Sequence, residues 1–140
     1  MKKVVSVSLG SSRQDFEFKT KFLGQNFSVH RMGADQDTGK AWELMRRQQA
    51  TADAIGLGEI SDHYHVGQDT LINKETRRLT NVVTRVPVTT GATLRRLLQV
   101  RAVRYVQKEL GHYFNNNLVL FLSGMRNYNM AVAMSDYTRN

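Results

Sequence analysis

Cysteine is absent from the 140 residues, which excludes a disulfide scaffold, a zinc ribbon or finger, and any thiol nucleophile. Proline occurs once and no tract is of low complexity. With 41% hydrophobic and 23% charged residues, the chain has the composition of a globular domain and not of a disordered tail. Long apolar runs are also missing: none approaches the roughly 18 residues of a membrane span. The run at 4–9, after Met1, Lys2 and Lys3, is broken by two serines and ends at Gly10, too short for the core of a signal peptide. A cytoplasmic protein without a membrane partner is expected, folded as one domain over 1–140 because that length suits a single core.

Positive charge is present in excess, with a net +8, and it is unevenly spread. Residues 1–73 hold nine Lys/Arg against nine Asp/Glu, whereas 74–140 hold eleven against only Glu75, Glu109 and Asp136. A basic half raises the local concentration of anions, from nucleic acid to phosphate and carboxylate metabolites. Equally, an arginine-rich stretch can simply be a solvated surface.

Short β-type runs alternate with helical patterns along the chain. The runs at 4–9, 54–60, 87–89 and 118–122 read as strands from their apolar content. Helices are predicted over 39–51, capped by Asp37 with Trp42 and Met45 on its buried face, and over 74–85, 92–113 and 128–137. Alternation over 16–22 and again over 27–32, with Gly24, Gln25 and Asn26 between, predicts a hairpin; a short helix over 16–23 is the alternative. Residues 62–72 read as a second hairpin or an excursion. Strands joined through helices are usually parallel. The expected fold is therefore α/β, Rossmann-like and three-layered, with a mainly parallel sheet and an appended β-hairpin. The chain is too short for a barrel.

Ligands of open parallel sheets sit beyond the carboxyl ends of the strands. Those ends carry Gly10, Ser11, Ser12 and Arg13; Gly56 and Gly58; Thr90 and Gly91, followed by Arg95; and Ser123, Gly124 and Arg126. Glycine allows close backbone approach, and hydroxyls, guanidinium groups and helix starts are the parts of anion sites. The same residues also mark ordinary turns and caps. Arg95 falls on the apolar half of its helix with Leu94, Leu98, Val103, Tyr105, Val106 and Leu110, which points to an anion ligand; snorkelling along the core rim is the alternative. The expectation is a small anionic metabolite or nucleotide bound at these ends. The alternative is nucleic acid held by Arg77, Arg78, Arg101, Arg104 and Lys108, although few aromatic residues are interleaved for stacking.

Several motifs are near misses. Gly56, Leu57 and Gly58 begin a G-x-G-x-x-G pattern, but the residues after them do not read as helix and Glu59 would repel a phosphate. The stretch 33–40 is one residue too long for a P-loop and has Ala41 where the metal-holding hydroxyl belongs; Arg46 spoils it as a calcium loop. His63 and His65, with Glu59, Asp62 and Asp69 nearby, could ligate a metal, but the segment reads equally as a polar hairpin, and no metal site is assigned. No G-x-S-x-G elbow is present, so no acyl-transfer nucleophile is predicted and catalytic residues stay unassigned.

The segments 4–13 and 55–58, residues 86–88 with Gly91, Leu94, Arg95 and Arg96, and the segment 120–124 resemble a bacterial family often labelled quinate 5-dehydrogenase. The resemblance spans most of the chain, and because members are longer it implies an N-terminal portion of a longer protein. It implies an oxidoreductase with NAD or NADP as cofactor and a cyclic hydroxy acid as substrate. Only the glycine-rich loops and their arginines carry over as ligand contacts, since the catalytic Lys of classical quinate and shikimate dehydrogenases has no counterpart here. Met130, Val132, Ala133, Met134 and Tyr137 would then lack covering partners, so a homo-oligomer is expected through the last helix or the run at 118–122.

Overall fold

The computed structural model describes residues 1–60 and 63–139. The chain divides into two compact units, Met1–Asp62 with Ile72–Gly91, and His63–Leu71 with Ala92–Asn140.

The first unit is built on a five-stranded sheet. Its strands are β1 (Lys2–Ser8), β2 (Phe16–Phe22), β3 (Gln25–Gly33) and β4 (Ala54–Gly58), with β7 (Val88–Thr89) at the far edge. They lie in the order β2-β3-β1-β4-β7. β1 pairs in parallel with both β3 and β4, β4 pairs in parallel with β7, and only β2 runs antiparallel, against β3. The fold is thus mixed α/β with a mostly parallel sheet. The strands expected at 4–9, 54–60 and 87–89 belong to one sheet and run parallel, as anticipated. The expected hairpin forms too, but its second arm is itself a parallel partner of β1 and supplies the fourth parallel strand. The hairpin turns at Leu23 and Gly24, both left-handed at φ 48° and 79°, not at the Gly24 to Asn26 turn read from the sequence.

Helix α1 (Thr38–Gln48) starts where the Asp37 side chain accepts a hydrogen bond from the Lys40 amide at 2.9 Å. Helix α2 (Lys74–Asn81) starts likewise, with Asn73 accepting from the Glu75 amide at 2.8 Å. Both are shorter than predicted. Period-2 alternation puts Val5, Val7, Ile55 and Leu57 on one sheet face, where they form one core with Ala41 and Met45 of α1 and Leu79 of α2. Met45 is fully buried as expected; Trp42 is half-buried and packs on the same core. The crossovers through α1 and α2 step in one direction along the sheet, so both helices cover that face. The opposite face carries Val4, Ser6, Val29, Arg31 and Gly56.

The second unit holds the hairpin β5 (His63–Val66) and β6 (Asp69–Ile72), of which only the last residue is counted with the first unit, together with α3 (Ala92–Glu109) and α4 (Gly124–Ser135). Two sequence expectations fail here. The run at 118–122 is not a strand: Leu118, Leu120 and Leu122 are 84%, 85% and 95% exposed. A continuous apolar run states only that burial would be favourable, and no sheet edge takes this one up. On α3 the packed stripe is Val100, Val103 and Gln107, set against Met130, Ala133, Met134 and Tyr137. Leu94, Leu98, Tyr105 and Leu110, read as buried, are more than half exposed. Arg101, Arg104 and Lys108 are exposed, and Arg95, read on the apolar half of the helix, is exposed as well. Among the described residues no helix is long and apolar enough to cross a membrane.

Candidate functional site

The carboxyl ends of β3, β1 and β4 are laced together by backbone. The Leu9 amide donates to the Gly58 carbonyl at 3.1 Å, Ala34 to Ser8 at 2.8 Å, Asp35 to Gly10 at 3.0 Å and Gln36 to Leu9 at 2.7 Å. Asp35, Gln36 and Glu59 adopt left-handed conformations at φ 54°, 64° and 51°, uncommon for residues with side chains. Such turns are held only when their surroundings over-determine them.

Those surroundings centre on Arg31, which is 9% exposed. Its Nη1 donates to the Ser11 carbonyl at 3.0 Å and to Asp15 Oδ1 at 3.1 Å. Its Nη2 donates to Ser8 Oγ at 3.1 Å and to Glu59 Oε1 at 2.8 Å. Asp15 Oδ1 also accepts from the Gly33 amide at 2.6 Å, and Ser8 Oγ accepts from the Gly10 amide at 3.0 Å while donating to Glu59 Oε1 at 2.9 Å. One buried guanidinium therefore joins three strand ends and the chain that leaves β1. Beside it, Asp35 accepts from the Ser12 amide at 2.7 Å and pairs with Lys40 at 2.8 Å.

These contacts set the charge states. The Ser8 hydroxyl, then Arg31, hold the Glu59 carboxyl below its ordinary range. Lys40, then the Ser12 amide, pull Asp35 well below its own, and Asp35 in turn raises Lys40. At neutral pH Glu59 is ionised and accepts hydrogen bonds only. Its Oε1 is engaged, while its side chain is 54% exposed. The ionised carboxylate can receive hydroxyl or ammonium donors.

The predicted ligand residues divide between the two units. Gly10, Ser11, Ser12 and Gly58 come together at the strand ends. Ser11 caps a three-residue 3-10 turn, Ser12–Gln14, accepting from the Arg13 amide at 3.2 Å, and Arg13 is exposed. Gly56 lies inside β4 beside Ser6 rather than at its end. Thr90 and Gly91 follow β7, with the Gly91 amide donating to Thr89 Oγ1 at 3.2 Å. Arg95, Ser123, Gly124 and Arg126 belong to the second unit. There Ser123 and Gly124 open α4 without a preceding strand, and the Ser123 side chain makes no cap hydrogen bond. The space that glycine leaves at Gly10 is occupied by the Glu59 carboxylate. After Gly58 the described chain continues as the β5–β6 hairpin, so Gly56 and Gly58 do not open a helix as a dinucleotide fingerprint does. The stretch 33–40 acts as a helix cap, as its sequence suggested.

Sequence reasoning missed Arg31, Asp15 and the Arg31–Glu59 pair. A signal existed: alternation along β3 puts Arg31 on the same face as Phe27 and Val29, an arginine where a half-buried side chain is due. No group of three or more metal-ligating side chains occurs among the described residues, and the side chains of His63 and His65 lie outside them.

Residues 3–90 match the family described as domain of unknown function DUF8753, and residues 93–140 match the domain of unknown function DUF8754. The first match covers more than half of the sequence, and the chain belongs to the DUF8753 family. The boundary between the two matches falls where the first compact unit ends, at Gly91. No curated protein matches the chain.

Proposed function

We propose that the sheet-bearing unit binds a small hydroxylated anion, such as a hydroxy acid, over the carboxyl ends of β1, β3 and β4. The observation that carries this reading is the Glu59 carboxylate, fixed through Oε1 by Ser8 and the buried Arg31 yet more than half exposed. A carboxylate held in this way accepts ligand hydroxyls without reorganising, and exposed Arg13 supplies a cation for the ligand's acid group. Rossmann-like character is part of the proposal, supported by the mostly parallel sheet and by the helices that connect β3 to β4 and β4 to β7.

A dinucleotide fits this unit less well. β1 runs into a 3-10 turn and the described chain after β4 into a hairpin, so neither glycine-rich end offers the helix N-terminus that cradles a pyrophosphate. No chemical step is therefore derived through NAD or NADP.

Calorimetric titration of the chain with quinate, shikimate, NAD, NADP and ATP tests the reading. The hydroxy acids are expected to saturate. Glu59→Ala should weaken them about 10- to 100-fold, the worth of one charge-assisted hydrogen bond. Absence of binding by quinate and shikimate at roughly millimolar concentration, the weak end of the affinity scale, overturns it.

A further inference from the structure

We infer that the second unit carries a separate pocket for a small phosphate monoester, at the turn that follows α3. Arg104 and Lys108 stand one helical turn apart, so both side chains leave α3 on the same side. The chain then reverses through three left-handed residues, Gly111, His112 and Asn116, at φ 59°, 65° and 59°. Buried Gln107 holds this reversal: its amide nitrogen donates to Asn115 Oδ1 at 2.5 Å, and its Oε1 accepts from the Phe114 amide at 3.0 Å. The Asn116 amide donates to the Tyr137 carbonyl at 3.1 Å, and the Arg139 amide to the Asn117 carbonyl at 3.2 Å, which fastens the turn to the end of α4.

At this turn lies an open pocket of about 370 Å³, lined by Arg104, Lys108, His112, Asn115, Asn116 and Asp136. None of the ion pairs among the described residues involves Arg104, Lys108 or Asp136. Two like charges at this spacing on a helix repel each other, a cost that a bound anion removes. A guanidinium fork, an ammonium, an imidazole and two amides together supply the donors that a tetrahedral oxyanion takes. Asp136 sets the class more narrowly: it disfavours a free polyanion and accepts a hydroxyl on the ester's carbon skeleton. The volume suits a phosphate with a few further atoms, at the small end of ligand pockets. This site lies wholly within the second unit and does not depend on the ligand proposed for the sheet.

The test is an amide NMR titration of the 140-residue chain with glycerol 3-phosphate, with inorganic phosphate, glycerol and a short DNA duplex as parallel arms. Saturable shifts of the His112, Asn115 and Asn116 amides are expected with the ester, weaker ones with phosphate and none with glycerol. Arg104→Gln with Lys108→Gln should weaken the ester at least about tenfold, one charge-assisted contact's worth. The charge-matched pair Arg96→Gln with Arg101→Gln should leave it unchanged, as should Glu59→Ala, which separates this site from the one on the sheet. The amides of Val103 and Ala133 report whether each variant keeps its packing; where the double variant loses it, Lys108→Gln alone replaces it. The proposal is overturned if these amides do not shift at roughly 20 mM ester, beyond any meaningful affinity, or if phosphate binds as well as the ester. It is equally overturned if both charge pairs weaken the ester alike, or if the duplex binds these amides more tightly than the ester does.

Discussion

A Cβ placed on Gly33 would stand 2.5 Å from the carbonyl carbon of Ser11. The backbone after β1 is thus laid directly on the end of β3, and the residue beneath it must be glycine for steric reasons rather than for its torsion angles. Gly33→Ala is expected to cost roughly 1–3 kcal/mol, the usual range for overpacking. Thermal unfolding measures it, and amide shifts should be confined to the segment around Ser11 and Ser12.

Arg31→Met removes four hydrogen bonds from the same place. Because Asp15 and Glu59 are partly solvated, the loss falls below that of a fully buried pair, at roughly 2–3 kcal/mol. Urea denaturation should show a lower midpoint with an unchanged slope. A midpoint within error of the parent would mean that Arg31 does not organise the strand ends.

Acid should unfold the protein sooner than base near neutrality. Glu59, Asp35 and Asp53 are all held below the ordinary carboxylate range in the fold. Folding therefore favours their ionised forms, and their contribution is complete above that range and lost as pH falls through the lowered values. Lys40 is raised, so its contribution is complete below the ordinary lysine range and lost only as pH climbs through the raised value. Asp35→Asn should flatten the acid limb of a stability-against-pH curve; an unchanged limb contradicts the pairing with Lys40.

Two apolar truncations should separate sharply. Met45→Ala empties a fully buried position and is expected to cost about 2–5 kcal/mol. Leu118→Ala, at a site 84% exposed, should leave monomer stability within about 0.5 kcal/mol. Exposed leucines at 118, 120 and 122 form the apolar surface through which self-association is expected. Light scattering should give a multiple of 16.0 kDa, reduced to the monomer by Leu120→Ser with Leu122→Ser; a monomeric parent would rule that surface out.

Much of the sheet could be read from the residues because its strands announce their own periodicity. The alternating phenylalanines of β2 and the valines of β1 each fix a face, and Asp37 marks where α1 begins. The run at 118–122 has no such internal reference. Nothing in a continuous apolar stretch says whether a partner edge exists, and the same ambiguity put the wrong stripe of α3 inward. The candidate site was half legible. Glycine and serine gave away the strand ends, but Glu59 reads in isolation as a repellent for anions. Only the register that sets Ser6 beside Arg31, and so brings the guanidinium to the ends of the strands, turns it into a fixed acceptor.

The tight turn at Leu23 and Gly24 has a kinetic consequence. The β2–β3 ladder joins neighbours in sequence, whereas β1 must wait for Val4 to find Val29 and, later, Ala54. Local hairpins close in roughly 1–10 μs, and long-range parallel pairings come only after a larger loss of chain entropy. Pulsed hydrogen exchange during refolding should therefore protect the amides of 16–33 ahead of those of 54–58, and simultaneous protection would refute this order. On the ribosome the seed of the sheet is complete once Gly33 has emerged, and β1, already synthesised, needs only to fold back onto an edge that is waiting for it.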